Sequence, residues 1–238
     1  MRRFVLLVCA VAVVLLLAGG AAWAYEPAPW PEPTKRCDRG GGPCVGTDRR
    51  DAIYGSKAAD DIRARAGADW AYASAGDDAL YGGADGDGLL GGAGRDDLHG
   101  EAGRDRLDGD DGDDTLHGGA WPDVLDGDAG EDTVRGGRGG DELAGDDGDD
   151  ALHGGPGDDH VYSTASGADR LYGGPGDDHL YLYEQDGGAQ DLLYCGEGHD
   201  TYFLPPGPPD TSDRVSASCE VPGDPSRAPL PPPWLIWD

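Results

Sequence analysis

The chain has 238 residues and carries 47 Asp and Glu against 18 Lys and Arg, which gives a formal net charge of −29. Nucleic-acid binding requires Lys and Arg for phosphate contacts, so this balance argues against a nucleic-acid partner. A chain this acidic, with 43 Gly, is typical of disorder unless something neutralises the carboxylates.

The first predicted element is a cleavable secretory signal at residues 1–24. It contains Arg2 and Arg3, an apolar run over residues 4–18 and Ala-Trp-Ala at residues 22–24, which are the three parts of such a signal. An uncleaved membrane anchor is the alternative, although the apolar run is short for a span. We expect a secreted, extracellular protein with no membrane span after signal removal and a formal charge of 16 − 47 = −31.

Residues 25–45 form a Pro/Gly-rich segment, and residues 46–203 then repeat with a period of nine. One Asp marks each unit, and two short insertions interrupt the series after its thirteenth member. The repeated residues are Asp51, Asp60, Asp69, Asp78, Asp87, Asp96, Asp105, Asp114, Asp123, Asp132, Asp141, Asp150, Asp159, Asp169, Asp178, Asp191 and Asp200. An apolar residue follows two positions after each of the first thirteen. This rhythm predicts a unit of one loop and one short strand whose middle side chain points inward.

The cleanest units read GGAGRDDLH (91–99), GGRGGDELA (136–144), GGPGDDHVY (154–162) and GGPGDDHLY (173–181). They match G-G-x-G-x-D-x-U-x, in which U is a large apolar residue. The chain therefore resembles the repeats-in-toxin (RTX, haemolysin-type) calcium-binding proteins over about two thirds of its length. The resemblance implies an all-β parallel β-roll, or β-solenoid, with eighteen residues per coil and Ca²⁺ between loops stacked on one edge.

The residue types suit a hard cation. Gly at places one, two and four of the unit permits positive φ and close approach of carbonyls. Calcium takes roughly six to eight oxygen ligands from carboxylates and carbonyls. The resemblance implies multiple Ca²⁺ ions held by the carboxylates of Asp78, Asp96, Asp105, Asp114, Asp132, Asp141, Asp150, Asp159, Asp178 and Asp200. It also implies that loop glycines form part of the metal sites. These are Gly91, Gly92, Gly94, Gly109, Gly112, Gly136, Gly137, Gly139, Gly145, Gly148, Gly154, Gly155, Gly157, Gly173, Gly174 and Gly176.

Several loops depart from the pattern. Units 46–72 are degenerate, and we expect them to bind Ca²⁺ weakly or not at all. Trp121 with Pro122, and residues 163–167, lack the glycines, while Gly86 at place five shifts the pattern beside Asp87. The insertion at residues 182–185 is predicted to be a surface loop.

Four cysteines lie outside the signal: Cys37, Cys44, Cys195 and Cys219. An even number in an exported chain favours disulfides, and three pairings are possible. We prefer Cys37–Cys44 and Cys195–Cys219, because one bridge near each end would pin the termini of a repeat array. Zinc binding is the alternative, but the spacings are not C-x₂-C. The Pro-rich segment 204–238 is expected to close the roll or to dock on a partner.

Outward positions at place nine carry histidines and tyrosines. His99, His117 and His153 would form one stripe, either a weak transition-metal site or a solvated face. His160, His179 and His199 show no such common place. The place-nine tyrosines are expected to contact a polymer or protein, or to be ordinary strand-surface aromatics: Tyr54, Tyr72, Tyr81, Tyr162, Tyr172, Tyr181 and Tyr194.

These features predict a secreted calcium-binding repeat protein whose folding is driven by extracellular Ca²⁺. It would act as a structural, adhesive or binding module, with a cell-envelope polymer or surface protein as partner. No G-x-S-x-G or H-E-x-x-H motif occurs, so we predict no enzyme activity and no catalytic residues. The alternatives are a secreted calcium buffer and a β-helical lyase or epimerase acting on polysaccharide with structural calcium. The second would need Lys or Arg converging beside carboxylates in a long groove, and the two lysines, Lys35 and Lys57, both lie near the start of the mature chain.

Overall fold

The computed structural model describes residues 35–183, 189–204, 213–219 and 221–222. The predicted signal, most of the Pro-rich segment after it and the C-terminal tip lie outside these residues. Every regular element in the described part of the chain is a β-strand. The described residues contain no helix with the length and apolarity needed to cross a membrane.

The strands alternate along the chain between two sheets. The odd-numbered strands form an 11-stranded sheet: β1 (Lys35–Arg36), β3 (Ala52–Tyr54), β5 (Trp70–Ala75), β7 (Gly88–Ala93), β9 (Arg106–Asp111), β11 (Val124–Asp126), β13 (Glu142–Ala144), β15 (His160–Ser163), β17 (His179–Leu182), β19 (Thr201–Phe203) and β21 (Val221–Pro222). The even-numbered strands form a 10-stranded sheet: β2 (Gly42–Val45), β4 (Asp60–Ala66), β6 (Ala79–Ala84), β8 (Asp97–Ala102), β10 (Thr115–Ala120), β12 (Thr133–Arg138), β14 (Ala151–His153), β16 (Arg170–Pro175), β18 (Leu192–Glu197) and β20 (Arg214–Val215).

Each strand pairs in parallel with the strand two further along the chain. In the even sheet, Leu98 lies opposite Leu116, which lies opposite Val134, so equivalent positions are 18 residues apart. The insertions change this distance locally: Ala151 pairs with Arg170, and Arg170 with Leu192. One coil therefore consists of two nonapeptides, and the predicted parallel β-roll is confirmed.

The core is a column of apolar side chains between the two sheets. Strands such as β10 alternate half-buried and buried residues, because successive side chains point to opposite faces. The inward residue at place eight is fully buried in most coils, as at Leu80, Leu98 and Leu116. Each such leucine contributes roughly 1.5–3 kcal/mol of apolar burial, and the contacts continue along the whole roll.

Both sheets extend beyond the predicted array of 46–203. Strands β1 and β2 precede it, and β20 and β21 follow it. Cys44 takes the inward position of β2, opposite Ile62, and is 1 % exposed. The structure contains the preferred disulfides, Cys37–Cys44 and Cys195–Cys219. Each disulfide therefore ties a terminal segment to the apolar column.

The outer faces carry rows of stacked rings. On the even sheet, His99 stacks on Tyr81 and on His117. On the odd sheet, the rings of Tyr162 and Tyr181 stack with centroids 4.8 Å apart, which leaves the two residues 4 % and 2 % exposed. For these two tyrosines the alternative of ordinary strand-surface aromatics fits, because neighbouring rings on adjacent coils cover them.

His160 and His179 also share a place, contrary to the expectation. They are register partners on β15 and β17, with ring centroids 4.9 Å apart. Each follows the place-six Asp of its unit directly, at place seven, so the sequence itself contains the equivalence.

Candidate metal centre

The repeated Asp at place six lies just before each strand and is almost completely buried. The exposure of these residues ranges from 8 % at Asp51 to 0 % at Asp141, Asp150 and Asp159. Consecutive units feed opposite sheets, so the carboxylates form two columns, one before the odd strands and one before the even strands. Burying so many carboxylates is costly unless each is paired or liganded.

One oxygen of each carboxylate is used by the backbone. The N–H of Asp96 donates to Oδ1 of Asp114, one coil further on, at 2.7 Å. The same bond recurs from Asp51 N–H to Asp69 Oδ1 at 2.6 Å through to Asp178 N–H and Asp200 Oδ1 at 3.0 Å. These bonds fix both the position and the rotation of the carboxylates.

The second oxygen, Oδ2, is buried and has no hydrogen-bond partner among the described residues at thirteen of these positions. They are Asp69, Asp78, Asp87, Asp96, Asp105, Asp114, Asp123, Asp132, Asp141, Asp150, Asp159, Asp178 and Asp200. A buried carboxylate oxygen without a donor is a ready cation ligand, and its desolvation opposes folding until it is neutralised. This repeated Oδ2 is the central feature of the site.

The predicted glycines shape the loop around this oxygen. A Cβ at the place-one Gly91 would overlap Oδ2 of Asp96, and the other predicted place-one glycines face their own Asp in the same way. These are Gly109, Gly136, Gly145, Gly154 and Gly173. The absence of a side chain therefore keeps carbonyls and Oδ2 close together.

The place-two and place-four glycines pack coil against coil. Gly112 has φ of 149°, and a Cβ there would overlap the carbonyl oxygen of Gly94. Other glycines at these places also have positive φ, and a Cβ on any of them would overlap a carbonyl oxygen of the preceding coil. They are Gly92, Gly94, Gly137, Gly139, Gly148, Gly155, Gly157, Gly174 and Gly176. These loops stack as closely as backbone atoms allow.

Burial shifts the acidity of the columns. Desolvation raises the pKa of Asp78 to about 6, of Asp114 to about 7 and of Asp150 to about 8, against the opposing effect of the backbone N–H donor. Neighbouring Asp residues on adjacent coils raise the pKa further. The fold therefore favours neutralisation of these groups, by a proton or by a cation.

Four place-six residues, Asp51, Asp60, Asp169 and Asp191, are not among these thirteen, and the Oδ2 donors of the first three are known. Thr47 donates to Oδ2 of Asp51 through both its N–H and its hydroxyl, and Ser56 N–H donates to Oδ2 of Asp60. Ser163 Oγ donates to Oδ2 of Asp169 at 2.7 Å. Protein donors thus satisfy Oδ2 at these three positions, although Oδ1 of Asp60 is buried with no hydrogen-bond partner among the described residues.

All ten carboxylates predicted as calcium ligands belong to the columns with a free Oδ2. The prediction omitted Asp69, Asp87 and Asp123, whose Oδ2 atoms have the same status. Trp121 adopts φ of 91° at a glycine place, and Asp85 adopts φ of 74°, so the irregular loops keep the backbone path. The nine-residue spacing of the Asp residues alone would have identified Asp69, Asp87 and Asp123.

The donor set suits calcium. The loops offer carboxylates and backbone carbonyls, and Ca²⁺ prefers such all-oxygen sets with flexible geometry. The loop oxygens therefore form a donor set of the kind that binds calcium.

The histidine stripe has the predicted order. His117 lies between His99 and Arg135 on the even sheet, and Arg135 separates it from His153. The rings of His99 and His117 are 5.0 Å apart and nearly parallel, and Asp97 Oδ1 lies 2.9 Å from His99 Nε2. One ligand atom from each of Asp97, His99 and His117 lies within 4.8 Å of the others, so the stripe brings together one group of possible metal ligands in addition to its ring stacking.

A comparison with protein-family models gives one match. The matching model is described as the RTX calcium-binding nonapeptide repeat (4 copies). It matches five segments of the chain, which are residues 54–89, 90–121, 122–143, 136–165 and 163–202. Together these segments cover residues 54–202, more than half of the chain. No curated protein matches the chain significantly.

Proposed function

Because the chain belongs to the family of RTX calcium-binding repeat proteins, we propose that it is a secreted module whose folding is driven by extracellular Ca²⁺. The observation that carries this proposal is the pair of columns of buried Asp residues with an unpartnered Oδ2. Without cations these carboxylates repel one another and oppose closure of the roll. Calcium binds only the folded form and so shifts the equilibrium towards it.

Two features support secretion. Residues 1–24 have the organisation of a cleavable signal. The structure also contains the disulfides Cys37–Cys44 and Cys195–Cys219, and disulfides persist mainly in oxidising compartments. In a cell with little free calcium the chain would stay open. Outside, at roughly millimolar calcium, weak sites of about 10⁻⁴–10⁻³ M would fill.

The proposed ligands are the predicted place-six carboxylates and their loop glycines, with Asp69, Asp87 and Asp123 added. Because each Asp bonds the coil before it and lines the loop of its own unit, occupation of one loop orders its neighbours. Coils that contact only their neighbours should then fold in one cooperative transition.

A binding or adhesive role is supported by the exposed rings. Trp121 is 63 % exposed and Tyr194 is 42 % exposed, and large exposed rings are enriched where proteins contact partners. We propose that these exposed rings contact a cell-envelope polymer or a surface protein. Capture of a polymer from cell-wall extracts in Ca²⁺ but not in EDTA, and its weakening by Trp121→Ala, tests this role; equal capture by the variant would contradict it.

A structural or binding role is favoured over catalysis. A surface depression of about 400 Å³ is lined by Arg39, Gly55, Ser56, Lys57 and Ser74, which supply cations and hydroxyls. No carboxylate lines this depression, and a polysaccharide lyase or epimerase would need acid and base groups beside the substrate. Incubation with acidic and neutral glycans in Ca²⁺ should therefore release no product.

Circular dichroism during a calcium titration tests the folding proposal. The mature chain should give a coil-like spectrum in chelator and a β-type spectrum above a cooperative calcium threshold. Magnesium should substitute poorly, because it demands tighter octahedral geometry. A β-type spectrum that is unchanged by chelator would overturn the proposal.

A further inference from the structure

A second group of carboxylates lies outside the two place-six columns, on the outer face of the odd sheet. It consists of Asp108, Asp110, Asp126, Asp128 and Asp146, and we call it the outer acidic cluster. Asp108 and Asp126 occupy place nine on β9 and β11, and the other three occupy place two of the following units. The nonapeptide pattern requires Asp at neither place.

The cluster forms two overlapping triads. Oxygen atoms of Asp108, Asp110 and Asp128 lie within 4.8 Å of one another, as do those of Asp126, Asp128 and Asp146. Asp128 belongs to both triads and therefore lies at the centre of the cluster.

The backbone holds these residues in register. Asp126 lies directly opposite Asp108 in the parallel sheet. Ala129 N–H donates to the Asp110 carbonyl at 3.1 Å, and Asp147 N–H donates to the Asp128 carbonyl at 2.9 Å. The place-two residues Asp110, Asp128 and Asp146 have φ of 69°, 63° and 63°, a region that Asp tolerates better than most residues. The cluster is therefore fixed by the sheet and its loops.

Asp126 is the residue that points to a ligand. It is only 4 % exposed although its place faces outward, and its Oδ1 has no hydrogen-bond partner among the described residues. Asp108 Oδ1 is likewise buried and unpartnered. A buried, ordered and unpaired carboxylate costs stability unless something neutralises it.

The protein supplies little positive charge here. Arg106 Nη2 lies 3.7 Å from Asp108 Oδ2, and Thr164 Oγ1 donates to Asp146 Oδ1 at the far end of the cluster. Arg106 therefore brings a guanidinium to the Asp108 end of this group of five carboxylates. Burial and the neighbouring carboxylates raise the pKa of Asp126 to about 9, as expected where such a cluster lacks a counter-charge.

We propose that the outer acidic cluster binds at least one divalent cation, with Ca²⁺ as its preferred ligand, at a site separate from the nonapeptide loops. Every donor is an oxygen, which selects hard cations over zinc or copper. Ca²⁺ holds ligands at about 2.3–2.6 Å, so oxygens on opposite sides of it are up to about 5 Å apart. Mg²⁺, with ligands at about 2.0–2.1 Å, requires a tighter set.

The test counts calcium ions bound to the full mature chain, by equilibrium dialysis with metal analysis at saturating Ca²⁺. Asp128→Asn removes the shared ligand, and Glu131→Gln, an exposed acid in the same unit, is the matched control. Asp128→Asn should bind at least one Ca²⁺ fewer per chain than the wild type, whereas Glu131→Gln should bind the same number. An unchanged number in Asp128→Asn would overturn the proposal.

A second measurement keeps the proposal testable if Asp128→Asn fails to fold. Asp110→Asn, at the half-buried margin of the cluster, should weaken the site about tenfold, because calcium affinity depends on the number of charged ligands. Asp126→Asn should lower the melting temperature in saturating Ca²⁺. An increase there would mean that the carboxylate was only a buried charge and no cation ligand. If the wild type itself binds no calcium, both the proposed function and this inference fail. If the wild type folds with calcium but the cluster variants bind as much calcium as Glu131→Gln does, this inference fails and the proposed function stands.

Discussion

The backbone N–H of Asp96 donates to Oδ1 of Asp114 at 2.7 Å, while Oδ2 of Asp114 is buried with no hydrogen-bond partner in the described part of the chain. The same carboxylate thus joins two coils through one oxygen, while its other oxygen is buried without a donor. Repetition of this arrangement along both edges makes the stability of the roll depend on neutralisation of its interior acids.

Loss of one such carboxylate should weaken calcium-driven folding. We expect Asp114→Asn to raise the calcium concentration at the folding midpoint about two- to tenfold, because the loop loses a charged ligand. Circular dichroism during calcium titration measures this midpoint. Asp113→Asn is the control, since Asp113 is exposed and its Oδ1 only accepts from Glu131 N–H at 3.1 Å. Equal shifts in the two variants would mean that general charge, not the buried ligand, matters.

The close stacking of coils should not tolerate a side chain at place four. Gly112→Ala places a Cβ onto the Gly94 carbonyl at φ of 149°. We expect a loss of at least about 2 kcal/mol in the free energy of unfolding, measured by urea denaturation in saturating Ca²⁺. Gly40→Ala serves as the control, because nothing lies within 4 Å of its Cβ. A neutral Gly112→Ala would show that the coils are further apart than described.

The pH dependence should reverse between calcium and chelator. Folding raises the pKa of Asp78 to about 6 and of Asp150 to about 8 from 3.8. A raised pKa in the folded state favours the protonated fold, and this contribution is lost as pH rises through the folded pKa. In chelator, β-structure should therefore be greatest near pH 4 and decline towards pH 8. In calcium titrations, the calcium concentration at the folding midpoint should fall as the pH rises from 4 to 8. Protons compete with calcium for the carboxylates, and this competition weakens as the pH rises. A chelated chain that gains structure with rising pH would contradict this explanation.

The two disulfides should contribute unequally. Cys195 and Cys219 are separated by 24 residues, and Cys37 and Cys44 by 7. In the chain-entropy model the longer loop is worth about 3 kcal/mol and the shorter about 2 kcal/mol. Urea denaturation of the two double Cys→Ala variants in saturating Ca²⁺ compares them. A larger loss from removing Cys37–Cys44 would show that the packing of Cys44 in the core outweighs loop entropy.

The fold was predictable because the constant nine-residue repeat determines the register of the parallel strands. Thirteen Asp residues at constant spacing determine which residues lie opposite one another in a parallel sheet, so the inward column followed directly. Asp87 and Asp123, whose Oδ2 atoms are buried and unpartnered like the rest, were left out of the predicted site because their neighbours break the glycine pattern, although Trp121 can still adopt positive φ. Backbone hydrogen bonds from adjacent coils held these loops in place, and a single unit does not show such bonds.

Burial on the outer faces was less predictable. Alternation places Tyr162 and Asp126 outward, yet both are 4 % exposed. Tyr162 is covered by a ring on the next coil, and Asp126 lies with Asp128 and Asp146, which come from place two of two later units. Such contacts depend on which side chains meet across coils and loops, and the nine-residue pattern does not specify them.

Sedimentation velocity of the mature chain at pH 7.5, first in excess EDTA and then in millimolar Ca²⁺, tests the central claim most directly. If cations neutralise the buried place-six carboxylates, the chain should sediment as an expanded coil in EDTA and as a compact particle in Ca²⁺, with reversal on renewed chelation. A compact particle in EDTA that sediments identically after calcium is added would contradict the claim.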